Sequence, residues 1–335
     1  MPAGGDQSRR SPAHAGPLRR WERLTFVLAF VLVAVGIVVL SISGVRGHPA
    51  AQRARRKTAA AAPAPAATRT ASASGSRSVV LTGPGSIRFS SAAAENARLA
   101  AALAPVLRRG TGNIAAGVVD AATGAVAVYG GNREFHAASI IKVDILASLL
   151  LQHQWSNAPL SAQQRTLAAE MIEDSNDEAA NELWEAAGEG EGVNLANQEL
   201  GLRQTTPGDG IYWGLTHTTV EDQLRLLADL AASHSSLSAG SRSYELGLMR
   251  HVAAGQDWGV TAAAVPVATA AVKDGWLPDG SDTTWVINSI GVISRGGHEM
   301  LVAVLSSDQP SESAGITQVD AAARAAVSAI IGARA

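Results

Sequence analysis

The sequence predicts an α+β protein in which one antiparallel sheet is flanked by helices and interrupted by an inserted all-α subdomain. Runs rich in strand-forming residues lie near both ends of residues 90–335, whereas residues 160–250 carry helical patterns almost throughout. Strands on both sides of a helical block are typical of one sheet assembled from the two ends of a domain. The core is expected to consist of small aliphatic residues, because 47% of the chain is hydrophobic and only 4% is aromatic.

The individual elements follow from apolar periodicity and from the turn residues between them. The first helix places Leu99 and Leu103 on one face and is followed by Gly110. The first two strands lie on either side of a short turn, as in a hairpin. The next helix is apolar on all sides and is therefore predicted to be buried. The predicted ranges are helix 91–109, strands 114–120 and 125–129, helices 139–152, 161–173, 178–186, 219–235 and 243–254, strands 269–273, 284–293 and 299–306, and helix 315–331.

The segment before this domain is predicted to be a membrane anchor with a tether. Residues 1–23 form a basic cytoplasmic tail, and the apolar residues 24–44 are long enough to cross a hydrocarbon layer of ~30 Å as a transmembrane helix. A cleaved signal peptide, which would give a secreted form, is the alternative. Residues 45–89 are rich in Ala, Pro, Ser, Thr and Arg, which predicts a disordered linker. The folded domain, residues 90–335, is then expected outside the cytoplasm at the plasma membrane.

Charge and cysteine content exclude several classes of function. Residues 1–88 contain 13 Lys+Arg and 2 Asp+Glu, a net charge of +11, whereas residues 89–335 contain 14 and 27, a net charge of −13. An acidic body argues against nucleic acid as a partner. The absence of cysteine excludes disulfide scaffolds, thiolate metal sites and cysteine nucleophiles. The eight histidines have no ligand spacing, so neither a metal nor another cofactor is predicted, and no obligate protein partner is evident.

Lysine is rare in this chain. Of 27 basic residues only three are lysine, and the folded domain contains two of them, Lys142 and Lys273. Arginine stays charged at any working pH, whereas a buried lysine can lose its proton. Lys142 follows Ser139 by three residues at the start of a predicted helix, so the two side chains share one face. A lysine in this apolar setting could act as a base towards the serine hydroxyl. The alternative is an N-capping serine beside a structural lysine.

Two further motifs follow in the chain, Ser175-Asn176-Asp177 after a predicted helix and Lys273-Asp274-Gly275-Trp276 at the end of a predicted strand. With Ser139-Ile140-Ile141-Lys142, their order resembles that of the class A serine β-lactamases and their penicillin-binding relatives, whose signatures are S-x-x-K, S-D-N and K-T-G. The resemblance covers about residues 90–333. It implies a five-stranded antiparallel sheet with a helical subdomain.

The resemblance also implies a role for each motif residue. Ser139 would be the nucleophile and Lys142 its base. Ser175 would pass a proton towards the leaving nitrogen, and Lys273 would supply positive charge near the substrate carboxylate. The backbone N–H groups of Ser139 and Trp276 would form the oxyanion hole. The substrate-binding positions would be Asp177, Asp274 and Gly275.

Three positions depart from the family pattern. Asp177 stands where an asparagine normally donates to the substrate, and an ionised aspartate can only accept. Asp274 replaces a threonine, where a carboxylate would repel a substrate carboxylate unless it is protonated or turned away. Class A enzymes place a water-activating glutamate in the loop that corresponds to residues 200–219, but the only acid there is Asp209, which is interpreted as a turn residue. These departures predict acylation with slow release.

The sequence therefore predicts a membrane-tethered, extracytoplasmic serine hydrolase that acts through a serine acyl-enzyme on β-lactams or related cell-wall amides, without a cofactor. Two alternatives belong to other classes. One is a penicillin- or peptidoglycan-binding module with little or no turnover. The other is a structural envelope protein with a decayed site, against which the retention of both lysines and both serines of the motifs counts.

Overall fold

The structure is a computed structural model that describes residues 87–89, 92–279 and 283–332. The predicted tail and anchor, and all but the last three residues of the predicted linker, lie outside these residues and stay predictions. Among the described helices, none combines the length and the apolar character that a membrane crossing requires.

A single antiparallel sheet forms the centre of the fold. In spatial order its strands are β2 (Val126–Tyr129), β1 (Asn113–Asp120), β7 (His298–Ser307), β6 (Thr284–Arg295) and β5 (Ala271–Asp279). Val118 lies opposite Val302 across the β1–β7 pair, so the N-terminal hairpin joins the three C-terminal strands. This confirms the predicted sheet built from both ends of the domain. Two short strands, β3 (Phe135–His136) and β4 (His217–Thr218), pair with each other outside it.

Helices lie on both sides of the sheet. One side is covered by α1 (Ala93–Arg109) and α8 (Glu312–Ile331); the inserted helical block comprises α2 (Ile141–Trp155), α3 (Ala162–Glu173), α4 (Asp177–Ala186), α5 (Glu189–Leu200), α6 (Val220–Ala231) and α7 (Ala239–Met249). The helix α5 is an addition to the predicted set. It forms despite two internal glycines because Val193, Ala196 and Leu200 recur at helical spacing and are buried.

Side chains on the strands alternate between two apolar cores. Ala271 belongs to the core on the α2 side of the sheet, and its neighbour Val272 belongs to the core on the α8 side. Because successive residues of a strand point to opposite faces, Lys273 and Gly275 face the α2 side. Asp274 faces the α8 side. This alternation decides which residues of the third motif can reach the nucleophile.

Several element ends differ from the predicted ones. The helix expected from residue 139 begins at Ile141, because Ala138 has a left-handed φ of 50° and a short 3-10 turn, Ala138–Ile140, comes first. The strand expected to end at Lys273 continues to Asp279, paired with β6 throughout. Helix α8 begins at Glu312 rather than 315, because Ser311 caps it by accepting a hydrogen bond from Ala314 N.

Candidate active site

The structure brings the three sequence motifs together where β5 passes the start of α2. Ser139 lies in the 3-10 turn before α2 and is half-buried, and Lys142 lies in the first turn of that helix. Ser175 lies in the connection between α3 and α4. Lys273 lies on β5, on the sheet face that packs against α2. The motif residues are thus supplied by the helical block and by one edge strand of the sheet.

Lys142 is completely buried, and four groups surround its ammonium. Nζ donates to the Ser175 carbonyl oxygen at 2.6 Å, to Asp177 Oδ1 at 2.6 Å and to Ser175 Oγ at 3.1 Å. The indole of Trp213 lies 4.9 Å from Nζ, within cation–π range. Burial lowers the pKa of Lys142, while the hydrogen bond and the charge of Asp177 oppose that change. A lysine in this setting is suited to exchange a proton with the Ser175 hydroxyl.

Lys273 is also fully buried, and its Nζ donates to the Asp274 carbonyl oxygen at 3.0 Å. Burial, followed by the positive charge of Lys142, lowers the pKa of Lys273 to about 7. The charges of Asp274 and Asp177 act in the opposite direction. Lys273 is therefore divided between its charged and neutral forms near neutral pH. The two motif lysines are therefore close enough for the charge of Lys142 to lower the pKa of Lys273.

Two non-glycine residues at the site have left-handed backbone conformations. Ala138, directly before Ser139, has φ 50°, and Ser175 has φ 54°. A left-handed conformation costs a residue with a Cβ about 1–2 kcal/mol, so such residues persist only where the surrounding structure holds them. Residues of this kind cluster at functional sites; Ser175 belongs to the second motif, and Ala138 directly precedes the first.

Gly275 allows β5 to approach the nucleophile turn. A Cβ at this position would lie 2.8 Å from the backbone nitrogens of Ser139 and Ile140, closer than real side chains allow. A glycine is therefore required here. The next residue, Trp276, follows Gly275 on the same edge strand of the sheet. The amides predicted to form the oxyanion hole thus belong to two adjacent segments, and their role stays a prediction.

Asn288 also positions the nucleophile turn, and the motifs do not include it. It lies opposite Gly275 on β6 and is fully buried. Its side-chain amide donates to the carbonyl oxygens of His136 at 2.8 Å and Ala137 at 2.9 Å, and its Oδ1 accepts from Ser306 N at 2.9 Å. Asn288 therefore connects two strands with the segment that leads into Ser139. The available signal was a polar residue within an apolar strand.

The expectation that Asp274 contacts the substrate requires a correction. Its side chain is fully buried on the α8 side of the sheet, where its carboxylate accepts a hydrogen bond from Trp258 N at 3.1 Å. The physical reason is strand alternation, which turns Asp274 away from the face that carries Lys273. Burial raises the pKa of the Asp274 carboxyl well above its usual range. Asp274 therefore does not place a carboxylate in front of a bound substrate.

Asp177 has a contact that the sequence does not reveal. It is the first residue of α4, and it pairs with Lys142 although its own side chain is 67% exposed. Asp177 was expected to face the substrate, and its exposure is compatible with that position. The structure adds that one of its oxygens is bound to the buried lysine.

The loop between α5 and β4 contributes an aromatic ring to the site. Trp213 is 9% exposed, and its Nε1 donates to Asn181 Oδ1 at 2.8 Å while its ring covers Lys142. Asp209, the only acid of this loop, lies in an exposed turn whose carbonyl accepts from Tyr212 N, as expected for a turn residue. Among the described residues of the loop, the contact with Lys142 is thus made by an indole and not by a carboxylate.

Comparison with known proteins places the chain in a family. The sequence profile of the β-lactamase enzyme family matches residues 151–331, which is more than half of the chain. The chain belongs to the β-lactamase enzyme family. This family protein is also similar to the LppW protein of Mycobacterium tuberculosis, with 28% identity over 216 residues. The match covers 63% of this chain and 65% of LppW, so the chain spans less than two thirds of the length of that relative.

Solved structures share the fold of this β-lactamase-family protein. A β-lactamase from Xanthomonas campestris pv. campestris has a TM-score of 0.59 at 18% identity and covers 70% of this chain and 98% of its own. A class A β-lactamase from Bacteroides cellulosilyticus has a TM-score of 0.60 at 13% identity, covering 73% and 99%. The protein PBP-A has a TM-score of 0.60 at 20% identity, covering 70% and 96%. At these identities the likeness establishes the β-lactamase-like fold alone, which confirms the fold implied by the motif order.

Proposed function

We propose that this β-lactamase-family protein is a serine hydrolase that forms an acyl-enzyme on Ser139 with β-lactams or related cell-wall amides. The observation that carries the proposal is the fully buried Lys142, which lies three residues after Ser139 and is hydrogen-bonded to Ser175. Lysine is almost never fully buried unless its ammonium is paired, because burial removes the hydration of the charge. The nearby Lys273 adds a second lysine to the site, and with a pKa of about 7 it is partly protonated near neutral pH.

The proposed acylation gives a role to Ser139, Lys142, Ser175, Lys273 and the backbone amide of Trp276. Ser139 Oγ attacks the substrate carbonyl carbon while its proton moves to Lys142 Nζ. The C–N bond then breaks, and the leaving nitrogen takes a proton from Ser175 Oγ, which Lys142 replaces across their 3.1 Å contact. The amides of Ser139 and Trp276 would stabilise the oxyanion by about 3–4 kcal/mol each. Lys273 in its charged form would bind the substrate carboxylate.

Labelling with a fluorescent penicillin tests this proposal. The full-length chain should become covalently labelled, labelling should be blocked by excess benzylpenicillin, and a Ser139→Ala variant of equal thermal stability should stay unlabelled. Equal labelling of the native chain and the Ser139→Ala variant would assign the adduct to another residue. No labelling of a folded native chain would remove penicillins from the proposed substrates.

A binding module with little turnover is the second candidate, and one observation favours it. The loop that carries the water-activating glutamate in class A enzymes here presents Trp213 to Lys142. Because Asp209, the only acid of that loop, lies in an exposed turn, an acyl-enzyme would persist unless another group activates water. The lifetime of the adduct therefore separates the two candidates.

We also propose that residues 24–44 tether the protein to the plasma membrane with residues 90–335 outside the cytoplasm. An apolar segment of this length, between two basic flanks, supports the proposal. Cell fractionation tests it: the full-length chain should remain in the membrane fraction and be accessible to external protease. A protein found only in the cytoplasm would contradict it.

A further inference from the structure

We propose that Asp177 is the general base that activates water to hydrolyse the acyl-enzyme. The proposal rests on the proposed acylation of Ser139. In class A enzymes a loop glutamate activates this water, whereas here the base would come from the second motif. The protein would then hydrolyse its β-lactam adduct instead of retaining it.

Asp177 lies between the buried Lys142 and solvent. Its Oδ1 lies 2.6 Å from Lys142 Nζ, while its side chain is 67% exposed. A base for hydrolysis must reach both a water molecule and the proton network of the nucleophile. Asp177 meets both requirements, because one oxygen is fixed to Lys142 and the rest of the side chain is open to water.

The carboxylate is also held in place. Asn176 caps α4 by accepting a hydrogen bond from Ala179 N at 2.8 Å, which fixes the backbone on which Asp177 begins the helix. Asn181, one turn further along α4, accepts from Trp213 Nε1. The same helix therefore positions both the carboxylate and the indole that contact Lys142. Such rigid support is what a base needs in order to act on a defined water molecule.

Other nearby acids are less suitable. Asp174 and Glu178 are exposed neighbours of Asp177 in the chain, and the charge of Glu178 raises the pKa of Lys142. Asp209 lies in an exposed turn of the loop. Across the residues that the structure describes, the ion pair of Lys142 is the one with Asp177. The carboxylate that contacts Lys142 thus comes from the second motif and not from the loop between α5 and β4.

The proposed hydrolysis is balanced in atoms and protons. Asp177 takes one proton from water as the water oxygen bonds to the acyl carbon, and an oxyanion forms. Lys142 is neutral in the acyl-enzyme, and Asp177 passes its new proton to Lys142 Nζ across their 2.6 Å contact. The bond from the acyl carbon to Ser139 Oγ then breaks, and Oγ takes a proton from the resulting Lys142 ammonium. One water is consumed, a carboxylic acid leaves, and the Ser139 hydroxyl is restored.

The test is the lifetime of the benzylpenicillin adduct, followed by intact mass on the full-length chain. Asp177→Asn keeps the size of the side chain and an oxygen near Lys142 but removes the base. We expect this variant to be acylated at least as fast as the native chain. Its rate of adduct loss should be lower by at least about 100-fold. Asp174→Asn is the matched control for charge, and its adduct should be lost within about twofold of the native rate. Added formate should accelerate release from Asp177→Asn, because it supplies the missing carboxylate.

Each remaining result contradicts the assignment. Equal adduct lifetimes in the native chain and Asp177→Asn would show that Asp177 does not act in release. A native adduct that persists indefinitely would show that the chain has no release step. Failure of Asp177→Asn to become acylated, with a normal unfolding midpoint, would place Asp177 in acylation. If the native chain forms no adduct, the proposed acylation itself fails, and the assignment of Asp177 falls with it.

Discussion

At the scale of single residues, the site depends on two buried lysines that have different hydrogen-bond partners. Lys142 has Asp177 and Ser175 as direct partners, whereas Lys273 has one main-chain carbonyl. Burial lowers the pKa of both, and the partner carboxylate limits the change for Lys142. The two ammonium groups therefore have different roles in the proposed reaction, one exchanging protons and the other attracting an anion.

This difference predicts a bell-shaped pH profile for acylation by benzylpenicillin. Acylation requires an uncharged Lys142, which gives the acid limb, and a charged Lys273, which gives the alkaline limb. Because the pKa of Lys273 is about 7, its charge is lost as the pH rises through that value, and the rate should fall there. Stopped-flow acylation rates measure the profile. A Lys273→Arg variant should lose the alkaline limb, because guanidinium stays charged. An unchanged alkaline limb in a folded Lys273→Arg would contradict this role.

Gly275 gives a second prediction at this scale. An added methyl group would lie 2.8 Å from the backbone nitrogens of Ser139 and Ile140, so Gly275→Ala must displace the turn or the strand. We expect a loss of about 1–3 kcal/mol in the free energy of unfolding and strongly reduced acylation. Denaturant unfolding and labelling with the fluorescent penicillin measure the two effects. Gly247→Ala, in α7 with nothing close to the added methyl group, is the control. Native acylation by Gly275→Ala would show that the close approach is unnecessary.

At the scale of elements, the nucleophile turn is held by the strands beside it rather than by α2 alone. Asn288 on β6 donates to two carbonyl oxygens of the segment before Ser139, and Gly275 on β5 contacts the turn directly. Ala138 keeps its left-handed conformation within these contacts. The sheet edge and the turn therefore form one unit, and a change on β6 should be transmitted to Ser139.

Substitution of Asn288 tests this coupling. Asn288→Ala removes three hydrogen bonds and leaves two buried carbonyl oxygens without that donor, which should lower the free energy of unfolding by about 1–3 kcal/mol or more. Acylation should slow by a larger factor than the loss of stability explains. Ser289→Ala, the next residue on the opposite face of β6, is the comparison, because its hydroxyl accepts from Val260 N away from the turn. Equal acylation rates in the two variants would show that Asn288 only stabilises the fold.

At the scale of the whole molecule, the architecture was predictable because its signals are local. Alternation and helical periodicity identified the five strands and most helices, and the motif order implied how the sheet closes. The contacts within the site are not local. Lys142 meets Asp177 over 35 residues of chain, and Asn288 meets Ala137 over 151. A single sequence carries no signal for such pairs, so Asp177 was expected to face the substrate and Asn288 was missed. The orientation of Asp274 was available from strand alternation.

All of the proposed chemistry depends on Ser139 as the nucleophile of an acyl-enzyme. Peptide mapping by mass spectrometry after brief exposure of the full-length chain to benzylpenicillin tests it most directly, with acid quenching to retain the adduct. We expect the penicilloyl group on the peptide that contains Ser139, at that residue, and none on Ser139→Ala. A folded native chain without any adduct, or an adduct on a different residue, would contradict the role of Ser139.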